Sequence, residues 1–291
     1  MGHWRLVAGS GLLVALALSW PGAATAQVRA EQPPNLELDP SRFEFSLAAS
    51  FGRPGGYVRV GHNGEPGSHV RLNDDLNIGL SEAVDGAVAF HLTPRDAVRF
   101  TFLYYFLRGR GLFDRTVSYN DEEFKAPGSP GHISIDADFY RVGLAYERTA
   151  SVPGGFLTGI VGLTYVHLDP KLTADGHSNS EDFSRYELPV PIVGLRVDIP
   201  MGNGYAVRAA IGGGGLPRVN SGRKEAGSTV YVEQIHGDAS MALTYAATQN
   251  LVFDIGPRLT YFFQHETSHH QKDSAFELVD VGLRAGMTLK F

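Results

Sequence analysis

The sequence predicts an all-β protein: a transmembrane, antiparallel up-and-down β-barrel of about ten strands, with twelve as the alternative, long extracellular loops and short periplasmic turns. Three observations carry that expectation. Apolar residues recur at every second position, over a stretch near the C-terminus that is longer than a usual globular strand. The opposite face of such stretches holds glycine or charge, and the connections alternate between short turns and long polar segments.

Composition narrows the alternatives. The 291 residues include 35 glycines and no cysteine, and only 19% are charged, with a formal net charge of −6. A disulfide scaffold, a thiolate metal site, a highly charged disordered chain and a basic nucleic-acid binder are thereby excluded. No nucleic-acid partner is expected.

Residues 1–26 have the three zones of an export signal: His3 and Arg5 at the head, an apolar stretch from Leu6 to Trp20, and Ala24-Thr25-Ala26 before the expected cleavage. The mature chain is expected to begin at Gln27, with 27–41 a periplasmic segment and 42–291 the barrel. No cysteine follows the cleavage site to accept a lipid.

Strands are expected near 42–51, 82–92, 97–108, 132–149, 156–168, 184–199, 205–216, 228–247, 251–264 and 275–291. In the third, Val98, Phe100, Phe102, Tyr104 and Phe106 alternate with Arg99, Thr101, Leu103 and Tyr105. In the fourth, Tyr140, Val142, Leu144 and Tyr146 oppose Arg141, Gly143, Ala145 and Glu147. Val193, Leu195, Val197 and Ile199 oppose Gly194, Arg196 and Asp198; Leu251, Phe253, Ile255, Pro257, Leu259 and Tyr261 oppose Val252, Asp254, Gly256, Arg258 and Thr260. The C-terminus is cleanest: Val279, Val281, Leu283, Ala285, Met287, Leu289 and Phe291 share one face, and Asp280, Gly282, Arg284, Gly286, Thr288 and Lys290 the other. A soluble sandwich turns its polar face to water and has little need of glycine there, whereas a narrow lumen needs small residues and self-paired charges. The apolar face is therefore expected to meet lipid.

Short turns are expected at Thr93-Pro94-Arg95-Asp96, Pro153-Gly154-Gly155, Pro200 to Gly204 and Thr248-Gln249-Asn250, and long loops near 109–131, 169–183, 217–227 and 265–274. Residues 52–81 are ambiguous: one more hairpin would give twelve strands, and a loop entering the lumen would keep ten, which is preferred. The uncharged run from Thr149 to Leu168 has the length of a membrane helix, but Pro153-Gly154-Gly155, Gly159 and Gly162 favour a turn and a strand. Aromatic residues gather at both expected rims: Phe90, Tyr146, Phe156, Tyr205, Tyr245, Phe253 and Phe291 at one, and Tyr104, Phe106, Tyr140, Tyr165, Tyr186, Tyr261, Phe263 and Phe276 at the other.

Met287, Leu289 and the terminal Phe291 resemble the C-terminal signal by which bacterial outer-membrane proteins are recognised for insertion. That resemblance implies the outer membrane, its lipids and lipopolysaccharide, and the barrel-assembly machinery as partners. Gly67-Ser68-His69-Val70-Arg71-Leu72-Asn73-Asp74-Asp75-Leu76-Asn77-Ile78-Gly79 is similar to the Gly-Thr-x-x-x-Leu-x-x-Asp-Leu-Gly-Leu segment of a loosely characterised group of outer-membrane barrels. Ser68 replaces its threonine and Asn77 a glycine, and the group carries no activity to transfer.

The inward charges are the candidate functional residues: Arg99, Arg141, Glu147, Arg196, Asp198, Arg208, Asp254, Arg258, Asp280 and Arg284. Read functionally, they line a passage for small polar solutes; read structurally, they pair across the lumen and close it. A small passive channel is expected first, a closed barrel presenting its extracellular loops second, and a lipid-modifying enzyme third. No cofactor and no enzymatic activity are expected. His265 and His269, or the sets Ser268/His265/Glu266 and Ser240/His236/Asp238, could be drawn into a metal or nucleophile site, but no helix or nucleophile elbow supports them. Gly212 to Gly215 lack the context of a phosphate loop.

Overall fold

The computed structural model describes residues 41–62, 64–65, 67–119, 122–124, 131–174, 177–180, 188–225, 227–269 and 272–291. The expected signal peptide 1–26, the segment 27–40, Tyr186 and His270 lie outside the described residues.

Fourteen strands follow one another among the described residues: β1 (Phe43–His62), β2 (Val70–Arg71), β3 (Ser81–His91), β4 (Asp96–Phe113), β5 (Val117–Tyr119), β6 (Glu122–Phe124), β7 (Gly131–Val152), β8 (Gly155–Ala174), β9 (His177–Ser180), β10 (Val190–Gly202), β11 (Tyr205–Glu225), β12 (Ser228–Ala246), β13 (Leu251–Ser268) and β14 (Lys272–Lys290). Ten of them, β1, β3, β4, β7, β8 and β10 to β14, pair antiparallel with both ring neighbours, and the β8–β10 and β1–β14 pairings complete the circle. Through the span where all ten run side by side, each wall strand is paired on both sides, as a sheet surrounded by lipid requires. The ten-strand count holds, and the Thr149–Leu168 run divides at a turn into the end of β7 and the start of β8, as its glycines indicate.

The period-two pattern sorts residues as expected. Val193 is 67% exposed on the outer surface and Leu283 58%, and Phe100, Leu144, Ile255 and Phe253 share that surface. Such a continuous apolar band is costly in water and stable in lipid. Short turns are tight: the β10–β11 connection places Gly202, Asn203 and Gly204 at positive φ, a region that glycine and asparagine occupy most cheaply.

Residues 67–80 take the lumen-entering course. β1 runs well beyond its expected end, and β2 pairs Arg71 with Tyr57 and Val70 with Val58. The chain then turns inward, where Leu72, Leu76 and Ile78 are fully buried. Leu72 N–H donates to the Gly56 carbonyl at 3.0 Å, and Ile78 N–H to the Leu72 carbonyl at 3.0 Å. This turn lies against the inward face of β4, and glycine makes the approach possible: a Cβ on Gly111 would sit 1.8 Å from the Asp75 carbonyl oxygen, and one on Gly109 2.4 Å from that of Leu76.

In the half of the barrel toward the long loops, the lumen holds an ordinary hydrophobic core. Phe139 packs against Phe262 at 4.9 Å between ring centroids and against Tyr105 at 5.4 Å, and Phe262 lies 6.1 Å from Phe276. Leu103, Leu107, Ile133, Ile135, Val166, Leu168 and Leu278 surround them, and the inserted turn joins the same cluster.

Candidate functional site: a charged cavity

Toward the short-turn rim the lumen changes character. The inward positions of β1, β3, β4, β7 and β10 to β14 bring every predicted lumen charge to the interior, where the ion pairs form two ladders. The first runs from Arg208 Nε to Asp198 Oδ1 (2.6 Å), from Asp198 Oδ2 to Arg196 Nε (3.4 Å), and from Arg196 Nη2 to Glu147 Oε2 (3.0 Å). Glu147 Oε1 then takes Arg99 Nε at 2.7 Å, and Arg99 Nη2 reaches Glu44 Oε2 at 3.2 Å, with His91 Nε2 on the other oxygen of Glu44.

The second ladder begins at Arg141, which grips both oxygens of Asp238 at 2.8 and 3.0 Å. Asp238 also accepts from Thr260 Oγ1 at 2.8 Å and lies 3.4 Å from Arg258 Nη2; Arg258 Nη1 lies 3.3 Å from Asp85. Asp85 bonds Arg284 Nη2 at 2.9 Å, and Arg284 pairs in turn with Asp254. Each ladder carries three guanidinium groups and three carboxylates. Charges placed in a confined interior are tolerable when they are partnered in this way.

Asp280 stands apart from both ladders. It is buried against Gly52 and accepts hydroxyl hydrogen bonds from Ser81 and from Tyr105, the latter at 3.2 Å. It thus sits at the boundary between the charged region and the aromatic core.

Sequence reasoning named ten of these charged residues and missed Glu44, Asp85 and Asp238. The missing signal was the same alternation: Glu44 lies between the outward Phe43 and Phe45, Asp85 between Val84 and Gly86, and Asp238 two positions from His236. Without the three missed carboxylates, neither ladder is balanced.

Between the ladders and the rim is a cavity of about 730 Å³, open toward the short turns. Gly194, Ala206, Ala210, Gly212, Ser240 and Thr244 line its roomy side, and Arg208, Arg196, Arg284 and Lys290 are among its charged neighbours. Its lining reaches inward to Arg141, His236, Asp238 and Leu103, the last a member of the buried hydrophobic cluster. Crowding is relieved elsewhere in the lumen, at Gly282 and Gly286, where an added Cβ would lie 2.2 Å from the Phe51 carbonyl oxygen and 2.8 Å from Asp254 Oδ2.

No protein-family model matches the chain, and no curated protein matches it. Solved structures do. The outer membrane protease OmpT from Escherichia coli superposes with a TM-score of 0.50 at 11% identity, over 85% of this chain and 97% of that one. The translocator domain of the autotransporter NalP from Neisseria meningitidis gives 0.43 at 13% identity, over 86% and 88%. The chain folds as an outer-membrane β-barrel. At these identities the likeness concerns the fold alone.

The expectation of no enzymatic activity needs correction. A protease is built on the fold that this chain shares with OmpT, so the fold gives no ground for excluding catalysis. The particular sets weighed from sequence do not assemble, however. His265 pairs with Asp273 at 2.9 Å, which is also held by Arg59. Glu266, next in the strand, points instead to the buried Lys272 at 3.3 Å. His265 and His269, four positions apart along a strand end, are separated by roughly 13 Å of extended chain, too far for a shared metal. Asp238 of the second set is occupied by Arg141, Arg258 and Thr260.

Proposed function

We propose that this outer-membrane barrel is closed to through-passage and presents its long-loop hairpins as a surface for interaction outside the cell. The observation that carries this reading is the lumen core: Phe139, Phe262, Phe276 and Tyr105, together with the inserted Leu72, Leu76 and Ile78, are fully buried across the interior. A passive channel needs a continuous wetted path, and a core packed like a protein interior supplies none. The two balanced ladders add support, since their charges satisfy one another and leave few sites for a permeating ion.

In this reading the short turns face the periplasm and the long hairpins the outside, and lipid together with lipopolysaccharide covers the apolar band. Met287, Leu289 and Phe291, on the outer face at the short-turn rim, serve recognition by the assembly machinery during insertion. The test is electrical. Purified barrel reconstituted in planar bilayers should give no stepwise conductance; discrete openings with a defined reversal potential would overturn the closed reading and restore the channel. The folded barrel should also migrate anomalously on gels until boiled, because its backbone is satisfied internally and resists detergent.

A further inference from the structure

We propose that this cavity binds a small solute carrying a carboxylate or phosphate group, entering from the short-turn rim and held by Arg208. The volume of about 730 Å³ falls within the range of small-molecule sites. Its lining mixes small residues, Gly194, Ala206, Ala210 and Gly212, with apolar ones such as Leu103 and Ile192 and with the ladder charges.

The ladders determine what kind of ligand suits that space. Arg99, Arg141, Arg196, Arg258 and Arg284 each contact at least two carboxylate oxygens. Arg208 closes the first ladder at its outer end and contacts one, through Nε to Asp198 Oδ1. That oxygen belongs to a carboxylate already shared with Arg196. Arg208 is also the most exposed of the six, at 41%. A guanidinium presents five donors in a planar fork that matches two oxygens of a carboxylate or phosphate, and Arg208 lines the cavity from the fourth position of β11, close to the short β10–β11 turn. Lys290 lines the same cavity and adds positive charge to it.

The opposite ligand class fits poorly. Glu44, Asp85, Asp198, Asp238 and Asp254 all already accept from an arginine. An incoming cation therefore meets engaged acceptors, whereas an incoming anion meets a donor with capacity left.

Folded barrel in detergent is titrated with inorganic phosphate and, separately, with succinate, following heat by calorimetry. Saturable binding of either probe is expected, with Arg208→Gln weakening it about tenfold or more, as for a lost hydrogen bond to a charged group. Preference between the two probes then identifies the headgroup. Ala206→Phe, which fills the cavity while leaving the ladders intact, is expected to abolish binding even if Arg208→Gln folds poorly. Arg218→Gln, on the distant β11 hairpin, is expected to change nothing. Absence of saturation by roughly 1 mM of both probes, or equal binding by wild type and Ala206→Phe, overturns the proposal. Because the readout is binding and not conductance, this result is independent of whether the lumen conducts.

Discussion

The two halves of the lumen solve one problem in opposite ways. Toward the long loops the interior is filled by Phe139, Phe262, Phe276 and an inserted turn, as in the core of a soluble domain. Toward the short turns it is filled by charge, and the charge is ordered into ladders around an open space. Apolar filling is non-directional and gains roughly with the area buried. Charged filling is directional and tolerable only while each partner is present. The first half is therefore built to seal, and the second to hold a defined arrangement of donors around a cavity.

Removing a ring from the sealed half should cost most. Phe139→Ala deletes a fully buried side chain that touches Tyr105, Phe262 and Phe276. Denaturant unfolding in lipid vesicles is expected to show a loss of about 3–5 kcal/mol. A loss under about 1 kcal/mol would mean that the upper lumen is loosely filled, which would weaken the distinction between the halves.

The outer surface provides the reference against which both interiors are read. Leu283→Arg puts a cation on the lipid face near mid-strand, at a cost of roughly 2–4 kcal/mol. Were that variant neutral, the inward and outward faces would be exchanged, and the ladder assignments with them.

The outward face was legible over most of its extent because lipid imposes one rule on every exposed position of every strand; the exception is Phe276, expected in the outer aromatic girdle but fully buried in the lumen core. Val281, Leu283 and Met287 could be assigned without knowing which strand lies beside them. The lumen was legible only in part. Alternation showed that Arg141 and Arg258 point inward, but their common partner Asp238 lies on β12, and cross-lumen pairing depends on strand order and register. Residues 67–80 were harder still. Their apolar positions, Leu72, Leu76 and Ile78, follow neither period two nor a helical repeat cleanly, because the segment is a turn shaped by Gly109 and Gly111 of a different strand.

Within the charged half, the ladders predict that position matters more than residue type. Arg141→Ala removes both bonds to Asp238 in a nearly buried setting, yet Arg258 and Thr260 still reach that carboxylate. The expected loss is about 1.5–3 kcal/mol, the range for hydrogen bonds to a charged group, below that for an acid left wholly unpaired.

Arg208→Ala sharpens the same comparison from its small end. Arg208 is chemically identical to Arg141 and also pairs with an aspartate, but it ends its ladder, is partly solvated, and shares Asp198 with Arg196. Solvent screens the pair, and its removal leaves Asp198 with another guanidinium, so the expected loss is about 0–1 kcal/mol. Measuring both variants under one set of conditions separates two ideas about the ladders. If stability follows only the number of arginines, the two losses will match. If it follows burial and the number of oxygens each guanidinium holds, Arg141→Ala will cost clearly more, and Arg208 will be the arginine that can be removed, or bind another anion, without disturbing the barrel.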